Sequence, residues 1–167
     1  MSESFDIVQY LDKQYPSSPR AITPGTLAFE TAYYKYFFAG VASKWPKPIN
    51  QYMYETFSPE AAAFIKELRE ARYGDTLVNL AKNPQARWDA YRDAYGTVAL
   101  PIYEKAEGIF LKGSEPAWAD FVTASLLLSI KLLYGADSKE WKYIETWHEG
   151  RWVKLIKDLE PYAYIDE

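Results

Sequence analysis

The sequence predicts an all-α protein, a bundle of about eight helices in one domain. Three observations carry this. Strand signals are scarce, and no hairpin dipeptide joins two alternating runs. Apolar residues recur at three- and four-residue spacing along most of the chain. Helix boundaries are written as caps, prolines and glycines, as in Ser58-Pro59-Glu60 and Tyr73-Gly74.

The first helix spans residues 4–14. Ser4 stands at its N-cap, Asp6 lies in its first turn, and Phe5, Val8 and Leu11 form a narrow apolar face. Pro16, Pro19 and Pro24 stiffen the linker that follows. The second helix runs from about Thr26 to Lys44. Phe29, Tyr33, Tyr36 and Phe37 lie along one side, and Leu27, Tyr34, Phe38 and Val41 along another, so it needs two neighbours. Pro46 and Pro48 end it. A helix opened at Ser58 carries Phe64, Ile65 and Leu68 and stops at Gly74; a short one covers residues 75–81. Asn83-Pro84 opens the next, with Trp88, Tyr91 and Tyr95 inward, and Pro101 must kink or break it near residues 96–100. The run after Pro116 is apolar nearly all round, which marks a central buried helix. Asp137 and Glu140 form a capping-box pattern, and a last helix spans residues 151–159.

Composition narrows the function. The chain has 167 residues, 49% hydrophobic and 25% charged, enough for one core that buries about 70% of the unfolded surface. A net charge of -4 argues against nucleic acid as a partner, and no lysine-rich run suggests a membrane surface. Phe121 to Leu133, the most apolar stretch, is too short and too interrupted by Thr123, Ser125, Ser129 and Lys131 to span a bilayer. The absence of cysteine removes disulfides, thiolate catalysis and zinc-thiolate sites. The start has no signal-peptide pattern, so the expected location is cytoplasmic.

Other residues read as structural. His148, the single histidine, sits near a helix end, where a positive charge favours the dipole. Asp89 and Asp93 share a helix face with no second acidic pair to complete a metal site. Arg69 and Arg72, with Glu67 and Glu70, read as helix surface pairs. The aromatic face Phe29, Tyr33, Tyr36 and Phe37 is the candidate site for a small apolar or aromatic molecule, weighed against a role in the core or in a subunit contact.

The stretch GSEPAWADFVTASLLL resembles the central helix of the all-helical domain of glutathione transferases, with the Ala119-Asp120 pair at its capping turn. On physical grounds Asp120 accepts the amide hydrogen of Ala117. The family usually has Ser or Thr at the position held by Ala117. Losing that half of the box costs about 1 kcal/mol unless something replaces it, and Ser114 is the candidate. The opening, ESFDIVQYLDKQYP, resembles the last helix of the thioredoxin-like domain of these enzymes. The tail and SPEAAAFIKELREARYG look most like fungal glutathione transferases related to bacterial ether-cleaving ones.

The resemblance implies residues 1–16 as a remnant of the thioredoxin-like domain, 17–25 as linker and 26–167 as the helical domain. It places Glu3 and Ser4 on the γ-glutamyl end of glutathione and implies a homodimer. The βαβ half and its thiol-activating residue are expected to be missing, so the isolated chain is expected not to conjugate glutathione. No cofactor is required, with glutathione the implied co-substrate. Three functions stay open: a binding protein for an apolar or aromatic ligand, a fragment or partner-completed glutathione transferase, and an interaction module or repurposed tailoring enzyme. In that last case buried tyrosine hydroxyls are the expected proton donors.

Overall fold

The computed structural model describes residues 4–163, and they contain helices and no extended strand. The helices are α1 (Ser4–Gln14), α2 (Leu27–Gly40), α3 (Pro48–Thr56), α4 (Pro59–Tyr73), α5 (Leu77–Leu80), α6 (Pro84–Ala94), α7 (Leu100–Tyr103), α8 (Trp118–Tyr134), α9 (Lys139–Glu145) and α10 (Arg151–Leu159). Helix α3 is not expected from the sequence, where Pro46 and Pro48 end the second helix. Proline fits the first turn of a helix, where its missing N–H leaves nothing unpaired, and Pro48 occupies that place. The cap of α9 also differs. Ser138, not Asp137, accepts the Trp141 amide at 3.2 Å. Ser58 caps α4 as expected, and Gly74 closes it at φ 66°.

Helix α8 lies at the centre. Leu127 and Ile130 are wholly buried on it, and α2 and α10 pack along its sides. Contacts from α2 to α8 advance together along both chains, from Glu30 with Ala119 to Tyr33 with Thr123, so the two helices run parallel. The remaining core is built from rings. Tyr91 and Tyr95 pack edge to face at 5.3 Å, Tyr95 meets Trp152 at 5.2 Å, and Trp141, Trp147 and Trp152 are fully buried. Edge-to-face contact sets the positive ring rim on the negative ring face, which adds about 0.5–1.5 kcal/mol per pair beyond area burial.

Pro101 distorts the chain where the sequence requires. It has no N–H for the Thr97 carbonyl, and Tyr95–Ala99 widens into a π-helical turn. Gly96 in that turn leaves room for His148. A Cβ there would stand 2.6 Å from the imidazole Nε2. The ring is not free to move, because Trp152 Nε1 donates to its Nδ1 at 2.7 Å. His148 and Glu149 both hold positive φ (49° and 61°), a left-handed turn that brings the ring inward. Burial, with the charge of Arg92, lowers the His148 pKa. The dipole reading predicted a favoured cation; here the neutral ring is favoured, because Nδ1 must accept a hydrogen bond. We expect Gly96→Ala to destabilise by about 1–3 kcal/mol through overpacking. A double-mutant cycle with His148→Ala checks this: additive losses would contradict the contact.

Helix α1 does not lie apart from the body. Phe5 and Val8 are buried with Ile22, against Tyr34 of α2 and Trp118 of α8. The linker is tied back by Asp12, whose two carboxylate oxygens accept the amides of Ala21 and Ile22 at 3.1 and 2.8 Å. The apolar face of α1 is thus covered by α2 and α8 within one chain. Leu11, expected on the same face, is exposed.

Candidate functional site

The first turn of α8 shows how its polar groups are satisfied. Asp120 is fully buried, and its carboxylate accepts the Ala117 amide at 2.7 Å, the Tyr103 hydroxyl at 2.9 Å and the Leu111 amide at 3.2 Å. Burial raises its pKa, while these hydrogen bonds pull the other way. Ala117 has no side-chain oxygen, so the reciprocal half of the box is absent. Ser114 does not replace it; it is exposed and makes no bond to this turn. Glu30 of α2 brings the second carboxylate instead. It is 1% exposed and accepts the Ala119 amide at 2.9 Å. Two helices thus share one cap.

The proposed aromatic face of α2 does not hold together. Tyr33 and Phe37 are buried in the core, whereas Phe29 and Tyr36 are exposed on another side. At about 100° per residue, Glu30, Tyr33, Phe37 and Val41 centre on the buried direction, and Phe29 and Tyr36 fall outside it. The Tyr33 hydroxyl lies 2.6 Å from Thr123 Oγ1, and since that hydroxyl donates to the Ala119 carbonyl, Tyr33 is the donor. Burial raises the pKa of Tyr33, Tyr95 and Tyr103. These hydroxyls are spent on the fold and do not supply the proton-donor role expected of them.

A groove opens instead at the far end of α2. It holds about 650 Å³ between the turn at Ala42–Lys44, the C-terminal end of α4 and the outer side of α8. Phe38, Trp45 and Tyr73 give it aromatic walls, and Leu126 an aliphatic one. Arg69 and Arg72 reach it from α4. From the sequence these arginines are expected to pair with Glu67 and Glu70. Among the described residues neither arginine makes an ion pair, and Glu70 instead accepts the Leu77 amide at 3.0 Å. Arg69 Nε is shielded from solvent and has no hydrogen-bond partner among the described residues. Ser43 and Ser129 spend their protons on the Ala39 and Leu126 carbonyls, at 2.6 and 2.7 Å, which leaves oxygen lone pairs as acceptors. Aromatic walls with a few polar groups converging on them are what a small-molecule site requires.

A second cavity, of about 300 Å³, lies between α8 and α10, lined by Phe121, Leu128, Ile156 and Tyr162. It is more apolar; the Lys131 ammonium sits 5.3 Å from the Trp141 ring centre and Ser125 donates to Val122, which leaves the Glu160 carboxylate as the one charged group at its edge not engaged among the described residues.

Ser4 is exposed in the first turn of α1, and Glu3 lies outside the described residues. A ladder of rings joins that turn to the groove. Phe5 stacks on Tyr34 at 5.3 Å, and Tyr34 meets Phe38 at 4.5 Å. Asp89 and Asp93 are taken up by Tyr143 and Arg92, and no group of three metal-ligating side chains stands together among the described residues. No helix among them is long and apolar enough to cross a membrane.

The family model of the glutathione S-transferase C-terminal domain matches residues 28–162, and the chain belongs to that family. The glutathione S-transferase CsGST83044 of Ceriporiopsis subvermispora, solved in complex with glutathione, is 27% identical with a TM-score of 0.85, over 96% of this chain and 66% of that one. A second enzyme of that organism, CsGST63524, also solved with glutathione, is 26% identical with a TM-score of 0.85, over 96% and 66%. GSTFuA2 of Phanerochaete chrysosporium shares the fold, at 23% identity and a TM-score of 0.87, over 99% and 67%. The chain thus spans about two-thirds of the length of these solved relatives. No curated protein sequence matches it.

Proposed function

We propose that this chain binds a small aromatic or apolar molecule in the groove between α2, α4 and α8, as a glutathione transferase-like protein of the fungal type. The observation that carries this is the ring ladder from the first turn of α1 to the groove. In the family resembled, that turn seats the γ-glutamyl end of glutathione. Ser4 and Glu3 take that role here, and two solved relatives were crystallised with glutathione. The groove would then hold the second molecule next to it. Phe38, at the end of the ladder, replaces Phe29, Tyr33, Tyr36 and Phe37 as the α2 contact.

Thiol activation is a separate matter. Among residues 4–163 the core tyrosines Tyr33, Tyr95 and Tyr103 are protonated and engaged, and Tyr91 is protonated and wholly buried, so conjugation would rely on a thioredoxin-like unit of which residues 1–16 form the last helix. Residues 17–25 are then the linker and 26–167 the helical domain, in a cytoplasmic protein.

Equilibrium dialysis with naphthalene-2-carboxamide, a neutral aromatic probe, tests the groove. We expect saturable binding that is lost in Ser129→Trp, whose indole fills the groove from an exposed position. Absent binding, or binding that survives this substitution, would contradict the proposal. Phe29 and Tyr36, exposed two turns apart on one side of α2, are the proposed seam of a homodimer. Sedimentation velocity should show a dimer that Tyr36→Asp dissociates; a monomeric wild type would refute it.

A further inference from the structure

Charge in the groove is one-sided although the protein is acidic. Arg69 and Arg72 line it, and no carboxylate among the described residues does. Lys47 adds a third cation at the margin, its ammonium 4.7 Å from the centre of the Tyr73 ring, and the Arg72 guanidinium lies 5.8 Å from the same ring. The acids on α4 do not neutralise the pair. Glu70 is committed to the Leu77 amide, and Glu67 is turned about 200° around the helix from Arg69. A shielded guanidinium N–H with no partner is costly unless something accepts from it.

We infer that the groove selects aromatic molecules bearing a carboxylate, held by Arg69 and Arg72 while the ring packs among Phe38, Trp45 and Tyr73. The inference rests on the groove being the ligand site, and it adds what that site recognises. A guanidinium presents parallel N–H groups that match the two oxygens of a carboxylate. Two of them on one side of an aromatic cleft hold the carboxylate end of such a ligand, and the ring walls hold the other. A neutral aromatic of the same shape keeps the ring contacts and loses the charged ones.

Titration calorimetry with naphthalene-2-carboxylate and naphthalene-2-carboxamide separates charge from shape. We expect the carboxylate to bind at least about tenfold more tightly, as hydrogen bonds to charged groups imply. Arg72→Gln alters an exposed side chain. It should weaken carboxylate binding severalfold and carboxamide binding much less, since the amide oxygen accepts only a neutral-type hydrogen bond, and Arg69→Gln should do the same. Added salt should weaken only the carboxylate. Equal affinities for the two probes, both blocked by Ser129→Trp, would overturn charge selection while leaving the groove a ligand site. If neither probe binds, the ligand site itself falls, and the inference with it.

Discussion

Replacing Asp120 with alanine should lower stability by about 3 kcal/mol or more, the largest effect expected of any single substitution here. Three donors converge on its carboxylate from three parts of the chain: Ala117 just before α8, Leu111 in the preceding loop and Tyr103 at the end of α7. Water cannot take the place of a fully buried carboxylate. Each donor left unpaired costs about 1–3 kcal/mol. The melting temperature should fall by roughly 6–12 °C, given about 2–4 °C per kcal/mol at this chain length. Asp120→Asn should be intermediate, since its amide keeps one acceptor oxygen and turns two N–H groups towards donors. A variant Asp120→Ala that melts with the wild type would remove the capping account.

Glu30→Ala should cost about 2 kcal/mol. It frees the buried Ala119 amide and leaves a void in the α2–α8 contact. The loss is smaller than for Asp120 because removing Glu30 also relieves a carboxylate held out of water. Its second oxygen has no partner, and burial, helped by the nearby charge of Asp120, raises its pKa. The sign of the pH dependence follows. A raised pKa in the fold contributes stability that is whole below the ordinary value of 4.5 and is lost as pH rises through the raised one. Glu30→Gln, which keeps an acceptor for Ala119 and cannot ionise, should therefore gain on the wild type between pH 5 and pH 8. Denaturant melts of the three proteins at both pH values check this. No loss on Glu30→Ala, or a Gln variant that loses ground as pH rises, would contradict it.

Glu30 also shows how far the sequence could be read. It lies three, seven and eleven residues before Tyr33, Phe37 and Val41, so an acid sat visibly within an apolar stripe. That spacing signals a buried carboxylate with a partner to find. The partner, an amide 89 residues away, has no local signature. The helices were legible where caps and glycines mark them, as at Ser58 and Gly74. They were not where one residue type serves two purposes, as with Pro48, which starts a helix as readily as it stops one. The groove was hidden for a different reason. Arg69 and Arg72 beside Glu67 and Glu70 look self-neutralising along the chain, and only the fold, which sets Glu70 on the Leu77 amide and both arginines at the groove, separates them. The Asp120 cap was legible because donor and acceptor lie within one helical turn.

The groove as ligand site is the central claim, and the indole N–H resonances test it directly. The six tryptophans each give one proton signal, and among them only Trp45 lines the groove. Titration with naphthalene-2-carboxylate should move the Trp45 signal to saturation and leave those of the buried Trp141, Trp147 and Trp152 in place. A Trp45 signal that stays fixed while the amides of Leu128 and Leu159 shift would place the ligand in the cavity between α8 and α10 and contradict the account.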